Sequence, residues 1–219
     1  MRELRFDRKP AFSGKTKSMV VFLHGYGANG ADLLGLADPL VPHLPDTVFL
    51  APDAPESAQG GYGLQWFPIP WIDGSSEEAA RHGLQRAMDD LNGFLDARLA
   101  EAGLTDNALC LLGFSQGAMI AMHVAPRRAA MVAGVVAISG RLLEPERIAE
   151  TAMRPPVLLI HGDADQVVPF ESMAHAGEVL TGNGFETFGH VMRGTGHGIA
   201  PDGLSVALAF LRDRLPGQP

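Results

Sequence analysis

The sequence predicts an α/β fold: a mostly parallel, doubly wound sheet with helices on both faces. Two observations carry this prediction. Short, almost continuous apolar segments are typical of strands buried on both faces, and here they alternate with helical segments along the chain. Such alternation favours a parallel sheet. Because no linker interrupts it, we expect residues 1–219 to form a single domain.

The strands are predicted from five apolar segments and a weaker sixth one. These segments are residues 19–23, 48–51, 108–112, 132–138 and 157–160, with residues around 190–192 as the weaker one. In doubly wound sheets, ligands bind beyond the carboxyl ends of the strands. Functional residues are therefore expected just after these segments.

Three helices are predicted from caps, breaker residues and apolar spacing. They cover residues 77–102, 117–125 and 204–215. Ser75 and Glu78 form a capping box at the start of the first helix, whose apolar residues then recur at steps of three and four. Pro126 ends the second helix. Residues 140–155 have room for only a short helix, so no large cap domain is expected.

Composition limits the partners and the compartment. The chain carries 17 Lys and Arg against 25 Asp and Glu, a net charge of −8, without a basic run, so nucleic acid is not expected as a partner. The single cysteine, Cys110, cannot form an internal disulfide, and the first ten residues contain no apolar signal segment, so we expect a cytoplasmic protein. No apolar run reaches the ~18 residues of a membrane helix, which argues against stable membrane insertion. The spacing of His and Cys fits no metal site, and no cofactor is expected.

Residues 113–117 (GFSQG) predict a catalytic serine. They lie between an apolar strand and a helix, which is the context of the sharp turn that exposes a nucleophilic serine in α/β-hydrolases. The turn strains the backbone and brings neighbouring chain segments close, so a glycine is needed on each side. We therefore expect an α/β-hydrolase fold with Ser115 as the nucleophile.

A base and an acid are expected downstream of Ser115, in the order acid and then histidine. Of the later histidines, His175 lies in a helical stretch and His190 beside the last strand, whereas His197 lies in a glycine-rich loop just past that strand. His197 is therefore the predicted base. The acid should follow strand 157–160, where Asp163 and Asp165 both qualify. Residue patterns alone do not separate these two carboxylates.

The developing oxyanion needs two hydrogen-bond donors. One is predicted to be the backbone N–H of Gln116, the residue after the nucleophile. The other is predicted to be the backbone N–H of Tyr26, in the segment LHGYG that follows the first apolar strand.

An aromatic-rich loop over residues 54–74 predicts the substrate pocket. Long loops without secondary structure in compact domains are usually functional, and apolar residues beyond a strand end suit an acyl group. The predicted pocket residues are Tyr62, Leu64, Trp66 and Phe67. Without a cap, this site is expected to be open and to suit short chains.

Five segments together resemble the phospholipase/carboxylesterase family, which includes bacterial carboxylesterases and acyl-protein thioesterases. They are residues 23–27 (LHGYG), 113–117 (GFSQG), 138–140 (ISG), 161–169 (HGDADQVVP) and 196–197 (GH), spread over residues 19–200. The resemblance implies the triad Ser115, Asp165 and His197, and so selects Asp165. It also implies the amides of Tyr26 and Gln116 as the oxyanion hole, an aromatic pocket segment at residues 65–67, and a possible homodimer.

The expected activity is hydrolysis of short- to medium-chain carboxylic esters through an acyl-enzyme, with a small-molecule ester as substrate. Acyl-protein thioesterase and lysophospholipase activities are the nearest alternatives, but Gly198 follows the histidine where the family often has glutamate. Residues 25–30 (GYGANG) also match a dinucleotide fingerprint with Asp53 beyond it. A dinucleotide-binding oxidoreductase would leave the nucleophile, acid and base as coincidences. A non-catalytic, ligand-binding relative of the fold would normally have lost one of these three residues, and all three are present.

Overall fold

The computed structural model describes residues 2–217 and contains a central seven-stranded sheet and a two-stranded hairpin. The strands are β1 (Phe6–Lys9), β2 (Ser18–Leu23), β3 (Thr47–Pro52), β4 (Glu56–Ser57), β5 (Leu64–Gln65), β6 (Leu109–Phe114), β7 (Gly134–Ile138), β8 (Val157–Gly162) and β9 (Thr187–Met192). The central sheet has the order β1-β3-β2-β6-β7-β8-β9, and β4 pairs with β5. All neighbours in the central sheet are parallel except β1, which runs antiparallel to β3.

Helices cover both faces of this sheet. They are α1 (Gly30–Leu34), α2 (Ala37–Leu40), α3 (Pro70–Asp73), α4 (Glu77–Ala102), α5 (Gln116–Val124), α6 (Glu171–Gly182) and α7 (Pro201–Arg214). The core residues of α4, α5 and α6 pack on one face with Met19 and Val21, whereas those of α1, α2 and α7 pack on the other with Val20 and Phe22. Because successive strand residues point to opposite faces, β2 is buried throughout and is apolar from Met19 to Leu23. The predicted doubly wound fold is confirmed.

The start of α4 differs from the prediction. The helix is capped by Ser76, whose Oγ accepts a hydrogen bond from the backbone N–H of Ala79 at 3.1 Å. Ser75 belongs instead to the preceding turn, where its N–H donates to Oδ1 of Asp73 at 2.9 Å. The predicted capping box of Ser75 and Glu78 is therefore wrong by one residue. Two adjacent serines could each cap the helix, and Ser75 is part of the turn while Ser76 is the cap.

No large cap covers the sheet within the described chain. Between β7 and β8 the helical structure is a single 3₁₀ segment, Pro145–Glu150. The loop over residues 54–74, predicted without secondary structure, contains the β4–β5 hairpin and α3. The short edge strand β1 was not predicted, since its sequence FDRK is mostly polar and exposed. From residue 2 to residue 217, no helix is both long and apolar enough to span a membrane.

Candidate active site

Ser115 stands at a strained turn between β6 and α5. Its backbone has φ 54° and ψ −117°, a left-handed region that a residue with a side chain rarely adopts. A Cβ on Gly113 would lie 2.2 Å from the Gly117 carbonyl oxygen, and a Cβ on Gly117 would lie 1.8 Å from the carbonyl oxygen of Leu23. Close backbone packing therefore excludes side chains on both sides of Ser115. The turn leaves Ser115 itself partly exposed at the carboxyl end of β6.

His197 connects Ser115 to Asp165. The Ser115 Oγ lies 3.0 Å from Nε2 of His197, and Nδ1 of His197 lies 2.7 Å from Oδ2 of Asp165. An ionised carboxylate only accepts hydrogen bonds, so Nδ1 carries the proton. Nε2 is then free to accept the serine proton. The loop after β9 thus brings an imidazole to the serine, and the loop after β8 brings a carboxylate to the imidazole.

The Asp165 carboxylate is buried and held by several donors. Its Oδ1 accepts hydrogen bonds from the backbone N–H groups of Val167 and Val168, at 2.8 and 3.0 Å. Burial raises the pKa of Asp165, but the hydrogen bonds from His197, Val168 and Val167 outweigh it, so that this pKa lies below its ordinary value. The carboxylate therefore stays ionised near neutral pH.

A second histidine contacts Asp165. Nε2 of the buried His161 lies 2.9 Å from the Val168 carbonyl oxygen and 3.3 Å from Oδ2 of Asp165. Both neighbours are acceptors, so this nitrogen is the protonated one. Because His161 precedes the two acids in the sequence, it is predicted to be a structural hydrogen-bonding histidine and not the base, and its contacts with Val168 and Asp165 agree with that prediction.

The other candidate groups lie outside this chain of hydrogen bonds. Asp163 accepts a hydrogen bond from the Gly194 N–H at 2.6 Å, and so ties the loop after β9 to the loop after β8. His190 pairs with Asp202 at 2.9 Å, and His175 is exposed on α6. In the part of the chain that the structure describes, no cluster of three His, Cys, Asp or Glu residues is arranged to hold a metal ion.

Two backbone N–H groups near the turn at Ser115 belong to Gln116 and to Tyr26, whose neighbour Gly25 lies close to Ser115. Gln116 is the first residue of α5, so its N–H has no acceptor within the helix. Across residues 2–217, no hydrogen bond uses the N–H of Tyr26 or of Gln116. The Tyr26 loop is held by Gly27, whose N–H donates to the Leu64 carbonyl at 2.8 Å. Gly63 packs closely against the Gly27 backbone, since a Cβ on Gly63 would lie 1.9 Å from the Gly27 carbonyl oxygen. These two amides remain the predicted oxyanion hole.

A buried hydrogen-bond network links the two donor segments. The Gln116 side chain accepts from the Trp66 backbone N–H at 2.9 Å and donates to the Phe67 carbonyl at 2.7 Å. The Trp66 indole N–H donates to the carbonyl of His24 at 2.9 Å. The His24 ring lies 2.8 Å from the Gly25 carbonyl oxygen through Nδ1 and accepts from a backbone N–H through Nε2. We refer to Gln116, Trp66 and His24 as the donor-linking network.

Burial lowers the pKa of His24, which keeps its ring neutral. Neutrality fits its two roles, because Nδ1 donates to a carbonyl while Nε2 accepts from the Ala54 N–H. Sequence analysis did not predict this network. A histidine and a tryptophan at these positions do not show from sequence spacing that they meet.

The structure alters the expected roles of the pocket residues. Trp66 is fully buried and Phe67 nearly so, so their rings belong to the core and do not line an open pocket. Tyr62 is 85% exposed at the tip of the β4–β5 hairpin. Leu64 is half-buried, and its backbone pairs with Ala28 beside the Tyr26 loop. The prediction placed these four residues in the wall of a pocket, but Trp66 and Phe67 follow β5 directly and both pack in the hydrophobic core.

Comparison with known proteins agrees with the geometry. The phospholipase/carboxylesterase family model matches residues 11–215. An acyl-protein thioesterase 1 from Gibberella zeae is 26% identical over 94% of this chain and 94% of its own length. A probable carboxylesterase from Oryza sativa is 30% identical over 90% of this chain and 88% of its own length. The crystal structure of esterase PE8 superposes with a TM-score of 0.91 at 41% identity, covering 98% of this chain and 100% of that one.

The family match spans nearly the whole chain, and the fold and the turn at Ser115 agree with it. The relatives include both esterases and thioesterases, which are serine hydrolases. The chain therefore belongs to the phospholipase/carboxylesterase family of α/β-hydrolases and is a serine hydrolase of the carboxylesterase type.

Proposed function

We propose that this enzyme hydrolyses short- to medium-chain carboxylic esters with Ser115 as nucleophile, His197 as general base and Asp165 as the acid that orients the histidine. The observation that carries the proposal is the continuous chain of hydrogen bonds from Ser115 Oγ through His197 to Asp165, with distances of 3.0 and 2.7 Å. A serine hydroxyl is a weak nucleophile until a base accepts its proton in this way.

In the proposed reaction, Ser115 Oγ attacks the ester carbonyl carbon while its proton passes to Nε2 of His197. The imidazolium that forms is stabilised by the Asp165 carboxylate. His197 then donates this proton to the leaving alcohol, which departs and leaves an acyl-serine ester. Water attacks the acyl-serine with His197 again as base, and the carboxylic acid and free Ser115 are released.

The backbone N–H groups of Tyr26 and Gln116 are proposed to stabilise the oxyanion of both tetrahedral intermediates. Loss of one such donor typically costs about 2.7–4 kcal/mol of transition-state stabilisation. The donors come from different segments, the loop after β2 and the start of α5. The donor-linking network joins those segments through buried hydrogen bonds, and we propose that it fixes the two donors relative to each other.

The variant Trp66→Phe tests this role, because it keeps an aromatic ring in the core but removes the indole N–H and part of the fused ring, which leaves the His24 carbonyl without its donor. We expect kcat to fall about tenfold with little change in KM, since small misplacements of catalytic donors are costly. We also expect the free energy of unfolding to fall by about 1–3 kcal/mol. Steady-state kinetics with a p-nitrophenyl ester and urea unfolding measure the two effects.

Ile69→Val is the matched control, since Ile69 is buried in the same segment but forms no part of the network. It should lower the free energy of unfolding by about 0.5–1.5 kcal/mol and leave kcat unchanged. Equal losses of kcat in the two variants would show that Trp66 acts only through general packing.

The preference for short to medium acyl chains is supported by the absence of a cap over the described sheet. Each methylene that becomes buried adds up to about 0.8 kcal/mol of binding. The value of kcat/KM should therefore rise over the first few carbons and level off once the chain reaches water. A p-nitrophenyl ester series from C2 to C12 measures this, and a maximum at C10 or longer would contradict an open site.

Thioester hydrolysis is a second candidate, because relatives such as the Gibberella zeae protein are named acyl-protein thioesterases. The same attack by Ser115 would serve a thioester carbonyl. Comparing kcat/KM for a p-nitrophenyl ester with that for an S-acyl thiol of equal chain length distinguishes the two. A preference of tenfold or more for the thioester would replace the ester proposal.

The proposal extends to assembly and location. We propose that residues 1–219 form one domain, which is supported by a sheet whose strands extend from β1 to β9 with α7 packed on it. We also propose a homodimer in the cytoplasm, where the buried free thiol of Cys110 would stay reduced. Sedimentation of the purified full chain at several concentrations tests the dimer.

A further inference from the structure

An arginine without an ion-pair partner stands beside the proposed active site. The guanidinium carbon of Arg141 lies 4.7 Å from the ring centroid of Trp71, which is 56% exposed. Among the ion pairs within the described chain, none involves Arg141. A cation at this distance over an aromatic face is attracted by the ring. Arg141 is therefore a cation held near Trp71, with no ion-pair partner among the described residues.

Arg141 is next in the chain to a residue that contacts the turn at Ser115. Arg141 follows Gly140, where a Cβ would lie 2.6 Å from the Cβ of Ala118 and 3.2 Å from the Ser115 carbonyl oxygen. Arg141 is thus one residue, or about 3.8 Å of Cα spacing, beyond a residue that contacts the turn. The backbone of Arg141 therefore lies close to the turn that carries Ser115.

Trp71 is connected to the same turn through the chain segment that precedes it. It lies in α3, four residues after Phe67, whose carbonyl accepts a hydrogen bond from the Gln116 side chain at 2.7 Å. The acidic residue of that helix, Asp73, accepts hydrogen bonds from the N–H groups of Ile69 and Ser75, both at 2.9 Å. Among the described residues, no ion pair joins Asp73 to Arg141.

The protein as a whole is acidic, which affects how an anionic substrate would approach Arg141. At a net charge of −8, the protein repels anionic molecules at long range. Most arginines near carboxylates are paired, as Arg147 is with Glu144 and Glu150. An unpaired, ring-supported guanidinium beside the nucleophile is suited to a carboxylate, which it can bind through two parallel hydrogen bonds.

We propose that Arg141, held by Trp71, binds an anionic group of the substrate, so that the enzyme prefers esters that carry a carboxylate several bonds from the reacting carbonyl. This inference rests on the proposed function, because it names the substrate class of the same site. It assigns Arg141 a role in specificity and none in the chemical steps.

The test compares esters that differ only in charge. One pair is mono-p-nitrophenyl adipate and p-nitrophenyl hexanoate, which share a six-carbon acyl chain. A second pair is the hexanoate ester of 4-hydroxybenzoate and phenyl hexanoate, which places the carboxylate on the alcohol side. We expect kcat/KM of the wild type to favour the anionic member of at least one pair. Arg141→Ala should lower kcat/KM for that member about tenfold, consistent with the loss of a hydrogen bond to a charged group.

Neutral esters and two further variants provide the controls. Arg141→Ala should leave kcat/KM for the neutral esters within about twofold, and Arg141→Lys should retain part of the anionic preference because it keeps the charge. Arg8→Ala removes the same charge from an exposed position on β1, at the far edge of the sheet, and should change neither pair. Raising the salt concentration should reduce the wild-type preference by screening.

The outcomes separate this inference from the function on which it rests. Hydrolysis of the neutral esters with equal effects of Arg141→Ala on both members of each pair would overturn the inference and leave the ester hydrolase proposal intact. Loss of the anionic preference in Arg8→Ala as well would attribute it to overall charge and also overturn the inference. Failure of the wild type to hydrolyse any of the four esters would overturn both.

Discussion

Replacing Ser115 with alanine is expected to abolish ester hydrolysis while the fold is retained. Loss of the nucleophile from a serine–histidine–aspartate site lowers kcat by about 10⁶-fold, and the residual rate comes from the oxyanion hole and from binding. The Ser115 Oγ hydrogen-bonds to His197, whereas the backbone N–H of Ser115 pairs with the Ile138 carbonyl at 2.8 Å. Only the first of these is lost in Ser115→Ala.

The neighbouring strand offers a matched control at Ser139. It has φ 51°, close to that of Ser115, and its backbone N–H pairs with the Ile160 carbonyl at 2.8 Å. Its hydroxyl is buried, with no hydrogen-bond partner in the structure. Ser139→Ala should therefore keep kcat within a fewfold of wild type.

Both variants are assayed on p-nitrophenyl acetate, with circular dichroism and thermal unfolding to check the fold. Retention of more than a few per cent of wild-type turnover in Ser115→Ala would remove Ser115 as nucleophile. A comparable loss in Ser139→Ala would show that any change at these strained turns destroys activity.

Much of the fold and part of the site were predictable because they depend on local patterns. Apolar runs predict strands that are buried on both faces, and the five main segments all became strands of the central sheet. The turn at Ser115 was predictable because a Cβ on Gly113 or on Gly117 would lie only 2.2 or 1.8 Å from a backbone carbonyl oxygen, so both positions require glycine. The signal is local in the sequence even where the contact that causes it, between Gly117 and Leu23, is not.

The remaining features depend on contacts between distant segments. Trp66 and Gln116 are 50 residues apart, and their hydrogen bond gives each a role that neither local sequence carries. Trp66 was predicted to line a pocket, but an aromatic residue in a loop can either line a pocket or pack in the core. Only the path of the chain through and after the β4–β5 hairpin decides between these two positions. The edge strand β1 was missed because its pairing with β3 outweighs a sequence with little apolar character.

Asp165→Asn is expected to lower kcat by about 10⁴-fold, whereas Asp163→Asn is expected to cost less than tenfold. The Asp165 carboxylate only accepts hydrogen bonds, which keeps the proton of His197 on Nδ1. An asparagine there can turn its NH₂ group toward Nδ1, which then becomes an acceptor. The proton moves to Nε2, and His197 can no longer accept the proton of Ser115.

The same substitution at residue 163 leaves the needed atoms in place. Asp163 accepts a hydrogen bond from the Gly194 N–H at 2.6 Å, and the carbonyl oxygen of an asparagine can accept that bond as well. The loop that carries His197 should therefore keep its position. The charge pairing with Arg193, at 3.6 Å and largely exposed, contributes little.

The two acid variants are compared by kcat over a range of pH, with thermal unfolding as the check on folding. The depressed pKa of Asp165 means that its carboxylate contributes stability that is present above the unfolded-state pKa and is lost as the pH falls through the folded-state value. Asp165→Asn should lack this stability at neutral pH, and the difference from wild type should shrink in acid. A larger loss of kcat in Asp163→Asn than in Asp165→Asn would show that Asp163, and not Asp165, is the acid that orients His197.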